Sequence, residues 1–179
     1  NEAWAAWVGD EGILPARAVV GVGGGRDRLI SATVEVSHAP HGKLERHVLE
    51  PGLYHLATAT QNVQAQQTRV CISGISAELE LGDDVMPTAD LEVQTNAVLD
   101  TVERVLQDLD VGASLSNLTQ ATVYLVSNDW LVEEGVVRTV LAQRGLASDC
   151  DVSMVAAADL GPSTSVEIVA TAELHVPLS

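Results

Sequence analysis

The sequence predicts an α+β fold, in which a mixed β-sheet carries two helices on one of its faces. Apolar residues at three- and four-residue steps across residues 87–109 are typical of an amphipathic helix. A β-branched, mostly apolar stretch at residues 121–127 is typical of a buried strand. From residue 43 onward the predicted order is strand, strand, helix, strand, helix, strand, strand. Helices on one face of a mixed sheet are the simplest packing for that order.

The first predicted helix is the clearest element. Its apolar stripe consists of Leu91, Thr95, Val98, Val102, Val105 and Leu109. Thr88 is the predicted N-cap, because a hydroxyl at that position can accept a hydrogen bond from a free backbone N–H. Asp90 and Glu92 then fall in the first turn, where the helix dipole favours acidic side chains.

The remaining elements are bounded by capping and turn residues. Asn128 and Asp129 can begin a second helix over residues 130–144, and Gly145 stands at the position where a helix commonly ends. The other predicted strands span residues 52–59, 68–76, 151–156 and 165–174. Turn residues at 159–162 join the last two.

Composition and charge exclude several classes of function. The 179 residues include 9 basic and 25 acidic side chains, a net charge of −16, and only 3% of residues are aromatic. Such a chain repels phosphate backbones and lacks aromatic platforms for bases, so we expect no nucleic-acid partner. Apolar stretches are too short to cross a bilayer, and no signal peptide is visible. Because two cysteines make no disulfide framework, we expect a soluble cytoplasmic protein with no membrane partner.

The first 39 residues repeat the last third of the pattern. Val34-Glu35-Val36 matches Val166-Glu167-Ile168, and the flanking helix end, glycines and strands follow in the same order. We therefore predict that the chain has three parts. These are the C-terminal half of a first unit at 1–39, a linker at 40–44 and a complete unit at 45–179. A half-unit would expose unpaired strand edges. We expect the natural chain to continue upstream of Asn1, or else a partner chain to supply the missing half.

Several short motifs, in this order and spacing, resemble the Rid family of YjgF-like reactive intermediate deaminases. In the complete unit they are Pro51-Gly52-Leu53-Tyr54, Val70-Cys71-Ile72-Ser73-Gly74, Gln94-Thr95-Asn96-Ala97-Val98-Leu99, Thr122-Val123-Tyr124-Leu125 and Val166-Glu167-Ile168. In the half-unit they are Asn1-Glu2-Ala3-Trp4, Pro15-Ala16-Arg17 and Val34-Glu35-Val36. Each motif alone consists of common residues, and the resemblance depends on the whole set.

The resemblance implies a chorismate-mutase-like fold in a trimeric or pseudo-trimeric assembly, with clefts between neighbouring units. It also implies hydrolysis of small 2-imino acids or their enamine tautomers to 2-keto acids and ammonia. Water attack on a protonated C=N bond needs no metal or organic cofactor, so none is expected. The implied partners are a small carboxylate substrate and further copies of the chain.

The resemblance carries over to six site residues. Arg17 matches the family's Arg, whose planar guanidinium suits a substrate carboxylate, and Asn1 matches its helix Asn. Glu35 and, in the second copy, Glu167 match the strand Glu that exchanges protons with the substrate. The remaining matches are Tyr54, as a further catalytic residue, and Gly74, at the backbone position that approaches the ligand. A composite cleft would place Asn1, Arg17 and Glu35 of one unit opposite Tyr54 and Gly74 of another.

The second copy departs from the family pattern in two places. Its Arg position falls within residues 149–151, which read Asp-Cys-Asp, and its helix Asn position reads Glu134. Acidic side chains repel a substrate carboxylate, so this copy's own residues should not process imino acids. An ordinary alternative also stays open for Glu35 and Glu167, since each alternates with apolar neighbours as on the outer face of a half-buried strand.

The sequence is compatible with three functions. The first is a Rid-like hydrolase acting on imino or enamino acids. The second is a non-catalytic Rid-like module that binds a metabolite or a protein. The third is a specialised tandem enzyme of secondary metabolism that resembles the chorismate-hydrolysing enzymes; a dianionic substrate would call for two cationic anchors, of which the sequence offers Arg17.

Overall fold

The computed structural model describes residues 43–47, 57–62, 67–77, 90–109, 112–146, 148–161 and 163–175. Its elements are β1 Lys43–His47, β2 Ala57–Asn62, β3 Gln67–Ser76, α1 Leu91–Leu109, a 3-10 turn Leu115–Asn117, β4 Leu118–Leu125, α2 Trp130–Gln143, β5 Asp151–Ala156 and β6 Val166–Leu174. The strands form a six-stranded sheet in the order β1-β2-β3-β6-β4-β5. The predicted α+β class is therefore confirmed. Residues 1–39, the predicted half-unit, lie outside the described residues, so the tandem organisation stays a prediction.

The sheet is mixed because one of its pairings is parallel. β4 and β5 run parallel and are joined through α2, whereas the other neighbouring strands are antiparallel. A parallel pair needs a crossover connection, and a helix is the usual one. The two helices therefore follow from the strand order as well as from their own sequence patterns.

The hydrophobic core lies between the sheet and the helices. Alternate residues of β6 are buried in it: Val166, Ile168, Ala170, Ala172 and Leu174. The apolar stripe of α1 supplies Val98, Val102 and Val105 to the same core, and α2 supplies Val137, Val140 and Leu141. This period of two in the strand and of three to four in the helices is the pattern from which the fold class was predicted.

The N-terminus of α1 corrects the predicted cap. Asp90 precedes the helix, and its Oδ1 accepts hydrogen bonds from the backbone N–H groups of Glu92 at 2.9 Å and Val93 at 3.2 Å. Asp90 is therefore the N-cap, and the prediction of Thr88 was wrong. A carboxylate both satisfies these N–H groups and interacts favourably with the helix dipole.

The C-terminus of α2 confirms the predicted stop. Gly145 has φ +77, a left-handed conformation that favours glycine. Its N–H donates to the Ala142 carbonyl, and the Leu146 N–H donates to the Leu141 carbonyl, each at 3.2 Å. This pair of bonds is a Schellman motif, which satisfies carbonyls left free at a helix end.

Two strands at the start of the described region differ from the prediction. β1 crosses the predicted linker and was not predicted, because its sequence Lys-Leu-Glu-Arg-His lacks the apolar residues of a buried strand. It is an edge strand, where charged side chains protect against pairing with other chains. β2 runs from Ala57 to Asn62 and ends three residues later than the strand predicted at 52–59. The predicted residues 52–56 lie outside the described residues.

No helix in the part of the chain that the structure describes is both long enough and apolar enough to cross a bilayer.

Candidate functional site

The face of the sheet that points away from the helices, here called the distal face, carries the candidate site at the end where Glu167 lies. The distal face is defined by the strand side chains that alternate with the core positions: Cys71, Ser76, Thr122, Tyr124, Glu167, Val169, Thr171 and Glu173. Two of its polar residues are nevertheless well buried, since Glu167 is 8% exposed and Thr171 is 9% exposed.

Glu167 stands in the middle of the sheet, near the start of β6. Its register partners are Ser76 on β3 and Tyr124 on β4. The pairing of β3 with β6 is irregular between Ile72 and Ile75, which is where Gly74 lies. A bulge of this kind redirects nearby side chains, and bulges occur often beside active sites.

The Glu167 carboxyl group is in an unusual environment. Its Oε1 is buried and has no hydrogen-bond partner in the structure. Burial raises the pKa of Glu167 to about 7, because loss of water disfavours the ionised form. A buried polar atom without a partner costs free energy, so it calls for an explanation such as a ligand or a catalytic role. A carboxyl group that titrates near neutral pH can both donate and accept a proton.

Gln94 fixes the loop that leads into β6. This side chain of α1 is fully buried. Its Nε2 donates to the Ser163 carbonyl, and its Oε1 accepts from the Ser165 N–H, both at 2.9 Å. Between these two bonds the loop makes a tight turn, in which Ser163 has φ 58. The loop is thus held at both ends of the turn, two residues before Glu167.

Sequence reasoning did not assign a role to Gln94 or to Tyr124. The available signal for Gln94 was a polar residue on the apolar side of a helix, next to Thr95 of the stripe. Both residues belong to motifs of the family resemblance, but the position of Tyr124 opposite Glu167 follows from the strand register, which the sequence does not give.

The structure brings together two of the six predicted site residues. Gly74 and Glu167 lie on the neighbouring strands β3 and β6, close to the same irregularity. The other four predicted site residues, Asn1, Arg17, Glu35 and Tyr54, lie outside the described residues. The composite cleft that combines them therefore stays a prediction.

The second copy's Arg position lies far from Glu167 within the chain. Asp151 pairs with Gln120 at the beginning of β4, whereas Glu167 pairs with Tyr124 near its end. Four residues of strand separate these two rows, a distance of about 13 Å.

The Cys150 thiol is a poor nucleophile. Burial raises its pKa most, and the charges of Asp151 and Asp149 raise it further, so the nucleophilic thiolate is disfavoured.

The second departure from the family pattern, Glu134, also has a structural partner. Its Oε1 accepts a hydrogen bond from Nε of Arg138 at 2.8 Å, one turn along α2. A carboxylate in this ion pair cannot act as the neutral amide donor that an Asn would provide.

Two other features offer no chemistry for the site. A groove of about 450 Å³ runs along the helices and is lined by Glu92, Val132, Gly135, Val136, Thr139, Val140 and Gln143. It contains none of the predicted site residues. No cluster of three or more His, Cys, Asp or Glu side chains able to hold a metal ion occurs among the residues with described positions.

Comparison with known protein families identifies the chain. The family model described as endoribonuclease L-PSP matches residues 54–174, which is more than half of the sequence. The chain belongs to this family, the YjgF/Rid family. The matched residues include the strands from β2 to β6 and both helices. Gly74 and Glu167 are among the matched residues.

Solved structures of Rid relatives agree with the fold. A putative endoribonuclease from Thermotoga maritima is 26% identical, with a TM-score of 0.55, and the alignment covers 72% of this chain and 96% of that one. A YjgF/YER057c/UK114 family member from Mycobacterium tuberculosis is 21% identical, with a TM-score of 0.54, covering 74% of this chain and 100% of that one. RidA from an Antarctic Psychrobacter is 20% identical, with a TM-score of 0.52, covering 72% and 94%. No curated protein sequence matches the chain.

Proposed function

We propose that this Rid-family protein is a hydrolase of small imines and enamines, which converts 2-imino or 2-enamino acids to 2-keto acids and ammonia. The observation that carries the proposal is the Glu167 carboxyl group, which is buried, lacks a partner for Oε1 and has a pKa of about 7. Such a group is suited to proton exchange with a substrate at neutral pH, because general acid–base catalysis works best when the pKa lies near the working pH.

The proposed reaction needs only water and proton transfer. The protonated Glu167 gives its proton to the imine nitrogen, or to the enamine carbon to form the imine, and the C=N bond becomes more electrophilic. Water then adds to the carbon and loses a proton to the carboxylate. The protonated Glu167 gives this proton to the carbinolamine nitrogen, the C–N bond breaks and ammonia leaves. The hydroxyl proton returns to the Glu167 carboxylate as the C=O bond forms. Glu167 ends the cycle protonated, as it began.

Further roles rest on the family resemblance. We propose Arg17 and Asn1 as substrate-binding residues, Glu35 and Tyr54 as catalytic residues beside Glu167, and Gly74 as the close backbone approach to the ligand. Because residues 149–151 and Glu167 are at opposite ends of β4, a cleft that uses both ends requires two copies of the unit. A homo-oligomer, with a trimer as the expected form, and a cytoplasmic location complete the proposal.

The decisive experiment measures keto-acid and ammonia release from freshly generated 2-iminopropanoate. Glu167→Gln preserves the shape of the side chain but removes the titrating proton, and we expect it to lower kcat/KM about 100-fold or more. Glu173→Gln is the matched control, since it lies on the same strand and face but is exposed. We expect it to stay within about twofold of the unchanged protein. Full activity in Glu167→Gln would refute the proposed role.

A non-catalytic binding module is the second candidate. The observations that favour it are the acidic residues at the second copy's Arg position and the Glu134–Arg138 ion pair at its helix Asn position. It predicts that the unchanged protein and both variants release ammonia no faster than buffer does. It further predicts that Glu167→Gln alters ligand binding, which calorimetry can detect without any turnover.

A further inference from the structure

The complete unit contains few cationic side chains. From residue 48 to the C-terminus, the sequence holds four Lys or Arg residues, which are Arg69, Arg104, Arg138 and Arg144. All four have described positions. The remaining cation of the unit, Arg46, lies on the edge strand β1, which β2 and β3 separate from β6.

Three of them belong to the helices, on the other side of the sheet from Glu167. Arg104 is exposed on α1. Arg138 forms its ion pair with Glu134 on α2. Arg144 follows α2, and its Nη2 contacts Asp100 Oδ1 at 2.6 Å and Glu103 Oε2 at 3.3 Å. The sheet separates these groups from the distal face.

The fourth cation is at the opposite end of the strands. Arg69 pairs in register with Glu173, whereas Glu167 pairs with Ser76. Six residues of β6 separate Glu167 from Glu173, which corresponds to about 20 Å. No arginine or lysine of residues 48–179 thus faces the end of the sheet where Glu167 is buried.

We infer that a Glu167 site formed by complete units alone, without Arg17, takes a small cationic ligand that has no carboxylate, such as the iminium of a simple amine or an amidinium. This inference rests on the proposed hydrolysis and gives this site a substrate class of its own, beside the imino acids proposed for a cleft that includes Arg17. A ligand N–H would supply the donor that Oε1 lacks, and the positive charge would favour the ionised carboxylate. A ligand carboxylate would instead meet Glu167 with no cation of this unit to offset the repulsion.

The corresponding reaction is the hydrolysis of an imine without an acid group. Water adds to the C=N carbon, the C–N bond breaks, and the products are an aldehyde or ketone and ammonia or an amine. No oxidant, reductant or metal is needed to balance it. With an iminium ligand, the ionised Glu167 first accepts a proton from the attacking water and then gives it to the leaving nitrogen. It last takes the hydroxyl proton as the C=O bond forms, and releases this proton to water.

The first test is the binding of acetamidine, a stable planar cation with N–H donors, measured by isothermal titration calorimetry on the full chain. We expect acetamidine to bind the unchanged protein and the Glu173→Gln control with equal affinity. Its affinity for Glu167→Gln should be lower by about tenfold or more. Pyruvate, which has a similar size and a carboxylate, should not displace it. Pyruvate that binds more tightly than acetamidine, or acetamidine affinity unaffected by Glu167→Gln, would overturn the inference.

Acetamidine binding should also depend on pH. Tyr124 is the titratable group that faces Glu167 from β4, the register partner on β3 is Ser76, and the next titratable group along β6 on this face is Glu173. As the pH rises through about 7, Glu167 ionises and acetamidine should bind more tightly. The increase should be absent in Glu167→Gln. An affinity for the unchanged protein that does not rise over this range would count against the inference.

The second test separates failure of the inference from failure of the proposed function. It compares hydrolysis of ethanimine, made in the assay by an amine oxidase, with hydrolysis of 2-iminopropanoate. The inference predicts a higher kcat/KM for ethanimine and no effect of Arg17→Ala on it. If 2-iminopropanoate alone is hydrolysed, and only with Arg17 present, the inference is wrong and the hydrolase stands. If neither imine is hydrolysed while acetamidine binds through Glu167, the hydrolase is wrong and the ligand class stands.

Discussion

The ionisation of one carboxyl group couples the stability of this protein to pH. The pKa of Glu167 is raised from the ordinary value of 4.5 to about 7 in the folded chain, so the folded state holds this proton more tightly than the unfolded chain does. The stability that this proton binding contributes is complete below about pH 4.5 and is lost as the pH rises through about 7.

The first prediction follows from the upward direction of this pKa shift. Glu167→Gln removes the ionisation, so it should stabilise the fold relative to the unchanged protein at high pH and have little effect at low pH. The expected gain is roughly 2–3 kcal/mol in the free energy of unfolding at about pH 8, and close to zero at about pH 4. Urea unfolding at fixed protein concentration measures it. Glu173→Gln, whose side chain is exposed, should show no such difference, and an equal effect in both variants would contradict the prediction.

At the scale of single residues, the sequence predicted Glu167 and Gly74 as site residues from the family resemblance. It could not predict the burial of the Glu167 carboxyl group. Alternation with apolar neighbours is equally typical of a residue on the exposed face of a half-buried strand. Burial on the distal face depends on what adjacent strands place beside the side chain. Tyr124 enters the site for the same reason, through a register that pairs residues more than forty positions apart.

At the scale of elements, polar side chains hold the helices against the sheet and against each other. Gln94 links α1 to the loop before β6, and Arg144 links the end of α2 to α1. The helices themselves were predicted well, because their period and the glycine at the end of α2 are local signals. The cap of α1 was wrong by two residues, since Thr88 and Asp90 are both good capping residues and only the position of the first turn distinguishes them.

Loss of the Gln94 amide should destabilise the protein strongly. Gln94→Met keeps the length of the side chain but leaves the Ser165 N–H and the Ser163 carbonyl without their partner in a part-buried position. The expected loss is about 2–4 kcal/mol in the free energy of unfolding, since each unsatisfied buried group costs about 1–3 kcal/mol. Chemical denaturation measures this loss. Gln107→Met, at an exposed position of the same helix, should change stability by no more than about 0.5 kcal/mol. Equal effects of the two substitutions would show that the hydrogen bonds contribute nothing.

The Arg144 contacts predict a smaller, salt-sensitive effect. Its guanidinium donates to the Asn96 carbonyl at 3.3 Å and contacts Asp100 and Glu103, all on α1. Arg144→Met should lower the free energy of unfolding by about 1–2 kcal/mol, more than an exposed ion pair contributes, because several contacts share one half-buried side chain. Arg138→Met breaks a single exposed pair within α2 and should cost about 0.5 kcal/mol or less. The difference between the variants should shrink in high salt, and its persistence there would assign the effect to packing.

At the scale of the whole molecule, the sheet separates two chemical environments. The helix-covered face holds the core, whereas the distal face holds Glu167 and its neighbours. The strand register places residues 149–151 and Glu167 beside opposite ends of β4, so one copy of the unit cannot combine them in a cleft. The sequence predicted the fold class because apolar residues recur at a regular spacing in its helices and strands. It could not predict this separation, since strand order and register are long-range properties that the local pattern does not encode.

Assembly through the distal face is the prediction that belongs to this scale. In the proposed oligomer, that face packs against other copies, and an arginine in its centre should prevent this packing because a charge would be buried without a partner. Val169 lies on β6 two residues beyond Glu167 and is half-buried. We expect Val169→Arg to reduce the mass measured by light scattering toward the single-chain value of 18.8 kDa and to abolish imine hydrolysis with it. Val93→Arg, at a 52% exposed position of α1, should preserve both the assembly and the activity. A single-chain mass with full activity in the unchanged protein would contradict a site shared between copies, and the catalytic role of Glu167 would then have to be complete within one chain.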